Sequence, residues 1–287
     1  MSAAKKTIFY QWRHNGITDL FRGLIAAHRE FKDIENLTIV PQIHDSNKFC
    51  DVFPWVQPVG WLDWTVHAGY IDVGIWRQNS PYTKAIRDTL QDQNSVTIAG
   101  LLNDYNDSFR NVGEYKWLYS LKPEIQRIID ERIHAVISGD YEVIHARMHW
   151  DDDTLAGGHG TTISTASAYL NSIAENLDTP TVLMSDSLDI LSSASSCFLR
   201  SGVRPVHSFR HGAAMPIETV LDILTDLCLI IKSKKVTALT IFPWGSTGFS
   251  HLACSVFGIP YFSYLVGDSE VTEVDWKTII KEPKYAR

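Results

Sequence analysis

The second half of the chain alternates between apolar stretches that predict β-strands and longer stretches that predict α-helices. Ser138-Gly139-Asp140 indicates a helix end and a boundary between two halves. The predicted strands after it are residues 141–147, 181–185, 203–209 and 236–242, and the predicted helices are residues 161–174, 187–200, 217–233 and 247–257. Because neighbouring parallel strands need a long crossover, usually a helix, this alternation predicts a doubly wound parallel sheet.

The first half also begins with a strand, a glycine turn and a helix, over residues 7–12, 14–16 and 18–31. Residues 37–41 and 96–102 predict further strands, residues 45–80 predict irregular structure, and residues 114–137 predict helix with a new start at Pro123. A last helix is predicted over residues 271–281. The sequence therefore predicts an α/β protein made of two halves.

Composition limits the kinds of partner. A chain of 287 residues that is 45% hydrophobic can fill one large or two ordinary cores. Its net charge of -7 gives no general affinity for nucleic acid or an anionic membrane, so a phosphate ligand needs a local site. The four cysteines are far apart and predict neither a disulfide framework nor a zinc site. With no signal peptide and no membrane span apparent, we expect a cytoplasmic protein.

The predicted strand 141–147 carries His145 and Arg147 to its carboxyl end. Residues two apart on a strand lie on the same face, and open α/β sheets bind ligands at this edge. The guanidinium of Arg147 suits phosphate oxygens, and His145 can bond a base or relay a proton. The alternative is a structural strand end, in which Arg147 pairs with one of Asp151, Asp152 and Asp153 and His145 is a core residue.

Two other predicted strands are followed by polar residues. Asp186 can accept two hydrogen bonds from the edge of a guanine ring, or it can cap the next helix. Ser246 and Thr247 stand at the predicted start of another helix, where their hydroxyls and the free backbone amides form an anion site. A nucleoside diphosphate is therefore the predicted ligand.

In order and spacing, the segments 143–153, 181–187 and 246–258 resemble the motifs of the fucosyltransferase superfamily with the GT-B fold. That superfamily includes nodulation-factor and core α-1,6-fucosyltransferases and protein O-fucosyltransferases. Residues 16–24 are similar to the glycine-aspartate-glycine segment that opens many of these enzymes. The central family motif has histidine, any residue and two arginines, and here Met148 replaces the second arginine.

The resemblance implies two Rossmann-like domains facing a cleft, and an inverting transfer of fucose from GDP-fucose to a glycan or glycoconjugate without metal or cofactor. Residues 1–138 would form the acceptor-side domain, residues 139–265 the nucleotide-sugar-binding domain, and residues 266–287 a helix packed back on the first domain. The implied donor-site residues are Arg147 on the β-phosphate, His145 beside the nucleotide, Asp186 on guanine, Ser246 and Thr247 on the phosphates, and Gly16. Asp19 is the candidate base, or an ordinary residue of a helix N-terminus.

Other interpretations remain open at this point. The same fold can use a UDP-sugar or another GDP-deoxyhexose, or can serve as a catalytically silent module that binds a sugar or nucleotide. Asp151–Asp153 can supply a base or form a solvated loop. The same aspartates match the metal-binding pair of the other common glycosyltransferase fold, but the strand-helix alternation argues against that fold. Residues 157–162 lack the lysine of a phosphate-binding loop, and the spacing of the histidines predicts no metal site.

Overall fold

The computed structural model describes residues 4–12, 16–45, 47–60, 70–76, 81–102, 110–148, 160–201, 216–241 and 247–275. The chain divides into two compact units. The first is Met1–Pro123 with Ser208–Val220, and the second is Glu124–His207 with Leu221–Arg287. The helix before the predicted boundary at residue 138 therefore lies almost entirely in the second unit.

The first unit contains a parallel sheet of five strands with helices between them. The strands are β1 Lys6–Gln11, β2 Leu37–His44, β3 Gln57–Val59, β4 Tyr70–Trp76 and β5 Ser95–Leu102, in the order β3-β2-β1-β5-β4. The helices are α1 Ile17–Glu30, α2 Phe49–Val52, α3 Pro81–Asp92 and a 3₁₀ helix at Gly113–Tyr119. Strands β3 and β4 and helix α2 lie where the sequence predicted irregular structure. Proline and tryptophan obscured their short patterns.

Helix α1 packs on the sheet through an apolar face that includes the fully buried Leu20, Phe21 and Leu24. Asp19 lies in its first turn and Arg29 in its last, which places charges of favourable sign at the two ends of the helix dipole. The prediction of this helix is confirmed. Its start follows the carboxyl end of β1, where it places Gly16 and Asp19.

The second unit contains a six-stranded sheet in the order β11-β10-β9-β6-β7-β8, parallel except for β11. The strands are β6 Glu142–Arg147, β7 Thr181–Ser185, β8 Leu199–Arg200, β9 Val236–Thr240, β10 Tyr261–Val266 and β11 Val271–Val274. The helices are α4 Pro123–Val136, α5 Gly160–Ala174, α6 Leu188–Ser193, α7 Ile217–Lys232 and α8 Gly248–Phe257. If the six strands of this unit are numbered 1 to 6 along the chain, from β6 to β11, their order from the β8 edge of the sheet is 3-2-1-4-5-6. This is the strand order of a Rossmann fold, so the predicted doubly wound sheet is confirmed.

Alternate side chains of β6 point to opposite faces of the sheet, one apolar and one polar. Ile144, Ala146 and Met148 belong to a buried apolar cluster that includes Leu170 of α5. The residues between them, His145 and Arg147, therefore lie on the other face of the strand.

Two predicted elements are corrected. The helix expected over residues 187–200 is the shorter α6, followed by the two-residue strand β8. The helix expected from residue 271 is wrong at its start, because Val271–Val274 forms β11 and pairs antiparallel with β10. A turn closed by the bond from Gly267 N to Glu270 O joins the two strands, which favours pairing over a new helix. Residues 276–281 and the predicted strand 203–209 lie outside the described residues.

No helix of the described part of the chain is both long enough and apolar enough to cross a membrane.

Candidate functional site

The predicted site residues of the second unit meet at the carboxyl edge of its sheet. Arg147 ends β6, Asp186 follows β7, and Thr247 follows β9 at the start of α8. Strands β6 and β9 are neighbours, and their connections leave in opposite directions, which makes this edge the switch point where open α/β sheets bind ligands. The described residues therefore bring together His145, Arg147, Asp186 and Thr247.

Arg147 and Asp186 form an ion pair. Arg147 Nη1 donates to Asp186 Oδ2 at 2.8 Å, and the backbone N of Met148 donates to Asp186 Oδ1 at 2.7 Å. The carboxylate side chain is only 7% exposed, whereas the guanidinium side chain remains 23% exposed. The carboxylate therefore fixes an arginine that still reaches the surface of the sheet edge.

Asp186 does not cap the helix that follows it. Ser187 is the N-cap of α6, and its hydroxyl accepts a hydrogen bond from Ile190 N at 3.4 Å. The capping alternative for Asp186 is wrong because Ser187 occupies the N-cap position, while the Asp186 oxygens accept hydrogen bonds from Arg147 and Met148. The role on guanine stays a prediction. The alternative partners of Arg147, the aspartates at 151–153, lie outside the described residues.

His145 is buried and lies against the start of α8. Its Nδ1 is 3.0 Å from Ser250 Oγ and 3.1 Å from Thr247 Oγ1, and these two hydroxyl oxygens are 2.6 Å apart. Burial lowers the pKa of His145 to about 4; the charge of Asp186 opposes this change and that of Arg147 adds to it. The imidazole is therefore neutral near pH 7 and acts as a hydrogen-bonding group rather than as a cation.

The start of α8 matches the predicted anion site in position. Thr247 is the N-cap in an extended conformation, yet its side chain makes no capping hydrogen bond. Its backbone N lies 3.4 Å from the hydroxyl of Tyr261, whose pKa burial raises to about 12. The first backbone amides of a helix have no partner within the helix and attract anions. Ser246, the other predicted hydroxyl, lies outside the described residues.

Gly16 and Asp19 lie in the first unit, at the start of α1. Gly16 is the N-cap, and Asp19 N donates to Gly16 O at 2.9 Å. The Asp19 carboxylate is 3.3 Å from Arg22 Nη1, and 28% of the Asp19 side chain is exposed. Burial raises the pKa of Asp19, against the opposing effects of Arg22 and of a hydrogen bond from the Gly16 backbone. The raised pKa favours proton uptake by Asp19. Its role as a base and its role as an ordinary residue of a helix N-terminus both remain predictions.

Ser250 and Tyr261 were missed by sequence reasoning. Ser250 stands three residues after the N-cap Thr247, the spacing of a capping box, which was the available signal. Tyr261 gave no local signal, because it lies at the start of β10, 14 residues after Thr247.

Within the described ranges, no group of three or more His, Cys, Asp and Glu side chains has the arrangement of a metal site. His149, His159 and the aspartates 151–153 lie outside those ranges.

Similar folds occur among solved structures. The fucosyltransferase NodZ from Bradyrhizobium has a TM-score of 0.54 at 18% identity, over 95% of this chain and 99% of that one. A NodZ α-1,6-fucosyltransferase crystal soaked with GDP-fucose gives a TM-score of 0.55 at 17% identity, with the same coverage. FUT1 from Arabidopsis thaliana, in complex with GDP, gives 0.57 at 8% identity, over 96% of this chain and 75% of that one.

No protein-family model and no curated protein sequence matches the chain. The structural likeness covers nearly the whole chain, and each of the two units is built on a largely parallel sheet with helices. The chain therefore has the fold of the GT-B fucosyltransferases, with two Rossmann-like α/β domains.

Proposed function

We propose that this protein is an inverting glycosyltransferase that moves fucose from GDP-fucose to a hydroxyl of a glycan or glycoconjugate. One observation carries the proposal. Arg147 is partly exposed and is held by an ion pair with Asp186. It lies at the end of β6, next to β9, and β9 leads to the start of α8, where the N-cap side chain makes no capping hydrogen bond. The likeness to a NodZ α-1,6-fucosyltransferase soaked with GDP-fucose supports the donor assignment.

The proposed chemistry follows from the charge that develops during transfer. Breaking the bond between the sugar and the diphosphate builds negative charge on the leaving group. A fixed guanidinium and the first amides of α8 stabilise this charge in place and need no reorganisation as it forms. Asp186 contributes by holding the guanidinium in one orientation. The transfer therefore needs neither a metal nor a cofactor.

The acceptor hydroxyl needs only modest deprotonation, because the sugar passes through a cation-like state. A carboxylate with a raised pKa takes up a proton more readily than an ordinary one. Asp19 has this property and lies in the first unit, to which the proposal assigns the acceptor. Attack from the side opposite the diphosphate inverts the anomeric carbon.

Calorimetric titration with GDP, UDP and their sugars tests the donor. We expect GDP and GDP-fucose to bind, and incubation of GDP-fucose with a glycan array to release GDP. Binding of UDP without GDP would contradict the fucose donor and favour a UDP-sugar enzyme. Binding of GDP-fucose without transfer to any acceptor would favour a silent binding module.

Replacement of Arg147 tests the leaving-group role. We expect Arg147→Ala to lower the transfer rate by about 10²- to 10³-fold, the usual effect of removing one donor to a developing charge. Arg147→Lys should recover only part of the rate, since an ammonium group lacks the planar fork. The measurement is initial-rate GDP release together with thermal unfolding.

Arg127→Ala is the matched control. Arg127 also forms an ion pair, with Glu131 at 3.1 Å, but its side chain is 71% exposed on α4. We expect this variant to keep full activity. Full activity of Arg147→Ala, or a large loss of its melting temperature in place of a rate effect, would make Arg147 a structural residue.

A further inference from the structure

The N-cap of α8 uses its side chain in an unusual way. Threonine at an N-cap ordinarily accepts a hydrogen bond from a backbone amide of the first turn. The side chain of Thr247 makes no such bond, and its hydroxyl oxygen lies 2.6 Å from Ser250 Oγ and 3.1 Å from His145 Nδ1. The side chain that would normally occupy the first amides is directed toward β6.

These groups form a polar cluster, here called the α8 cluster, which consists of the buried His145, Thr247 and Ser250 and the half-buried Tyr261. His145 is 9% exposed, Thr247 3% and Ser250 0%. Tyr261 approaches from β10, and its ring stacks on that of His251 with centroids 4.7 Å apart and an angle of 8° between the rings. Hydrogen bonds inside a region of low dielectric constant are strong, so the α8 cluster holds its hydroxyls in one arrangement.

We propose that His145 is a positioning residue, whose imidazole holds the hydroxyls of Thr247 and Ser250 beneath α8 so that the first amides of this helix stay open to the donor's diphosphate. This inference rests on the proposed function. His145 acts indirectly, through Thr247. The Thr247 hydroxyl itself does not contact phosphate.

Two substitutions distinguish this positioning role from a direct contact between His145 and the ligand. His145→Gln releases the Thr247 hydroxyl, which then caps the first turn and competes with the diphosphate. Thr247→Val removes that hydroxyl, so there is nothing left for His145 to hold. The loss caused by His145→Gln should therefore disappear in the Thr247→Val background.

The test is calorimetric binding of GDP and of guanosine to the full chain. We expect His145→Gln to weaken GDP binding about tenfold, near the effect of one hydrogen bond to a charged group, and to leave guanosine binding within about twofold. Thr247→Val should bind GDP within about threefold of the wild type, and the double variant should match Thr247→Val. Ser250→Ala supplies a second way to release the hydroxyl if His145→Gln does not fold, and Thr247→Ser should again make GDP binding sensitive to either change.

Thr181→Val is the matched control. Thr181 is also a buried threonine of this sheet, 2% exposed, and its hydroxyl donates to Thr179 O at 2.9 Å. His145→Gln should weaken GDP binding in the Thr181→Val background as much as in the wild type.

Four outcomes would overturn the inference. Equal losses for GDP and guanosine would indicate a base contact, and a loss that persists in the Thr247→Val background would indicate direct contact with the phosphates. Unchanged GDP binding by both His145→Gln and Ser250→Ala would remove any role of the α8 cluster while leaving the proposed function intact. A wild-type chain that binds neither GDP nor UDP would instead remove the proposed function, and the inference with it.

Discussion

At the scale of single residues, the Asp186 carboxylate has two candidate roles: to position Arg147 or to bind guanine. The resemblance to the fucosyltransferases implies that Asp186 reads guanine, whereas the structure shows both of its oxygens accepting hydrogen bonds from β6 and the residue after it. A positioning carboxylate acts on the phosphate site, which GDP and UDP share. A carboxylate that reads the base acts on GDP alone.

Asp186→Asn distinguishes these roles, because it removes the charge and keeps the shape. If Asp186 positions Arg147, affinities for GDP and UDP fall by similar factors, which is the result we expect from the geometry. We also expect a loss of about 1–2 kcal/mol in the free energy of unfolding, measured in urea. Loss of the preference for GDP over UDP would instead support the guanine role.

His145 gives the fold a dependence on pH. Its pKa of about 4 in the folded protein lies below the ordinary 6.5, mainly through burial, with Asp186 and Arg147 as the charged neighbours. Between these values the unfolded chain binds a proton that the folded chain does not, so stability falls as the pH falls from 6.5 toward 4.

We therefore expect the wild type to lose about 2 kcal/mol more than His145→Gln between pH 7 and pH 4.5 in urea unfolding. Titrations common to both proteins cancel in this difference. Parallel pH profiles for the two would contradict a buried neutral imidazole.

At the scale of elements, close packing of α1 on β1 explains a glycine of the segment that resembles the family. A Cβ atom added to Gly23 would lie 2.8 Å from Cζ of Tyr10, whose side chain is fully buried. The helix therefore approaches the sheet at a point where only glycine fits.

Alanine ordinarily stabilises a helix by about 1 kcal/mol relative to glycine. We expect Gly23→Ala to destabilise the protein by about 1–3 kcal/mol instead, because Tyr10 has no space to move. Gly16→Ala is the control, since among the described residues its added Cβ would meet only Asp19 Oδ2, at 3.8 Å. The measurement is urea unfolding, and equal effects of the two substitutions would refute the packing argument.

At the scale of the whole molecule, the candidate donor site lies in the second unit, whose strand order places the carboxyl ends of β6, β7 and β9 at one edge. A ligand that binds only the folded protein stabilises it by an amount set by its concentration relative to the dissociation constant. We expect GDP at about 100 times this constant to stabilise the protein by about 2.7 kcal/mol, seen as a raised melting temperature.

Hydrogen exchange should locate this stabilisation at residues 145–148, 185–190 and 247–252. Guanosine and inorganic phosphate added separately at the same concentration should protect less. Protection by GDP confined to the first unit would contradict the assigned site.

The sequence alone predicted the parallel sheet of the second unit and the positions of Arg147, Asp186 and Thr247 at strand and helix ends. These features follow from local periodicity and from the residues that begin and end elements, which act within a few neighbouring positions. The same local signals favoured a helix from residue 271, where pairing with β10 produces a strand.

Only the tertiary structure decided which side chains meet. Arg147 and Asp186 are 39 residues apart, and His145 and Thr247 are 102 apart. Their contacts depend on β6 lying between β7 and β9, which follows from the packing of the whole sheet. Each strand by itself carries a polar end, and the order of the strands determines which polar ends become one site.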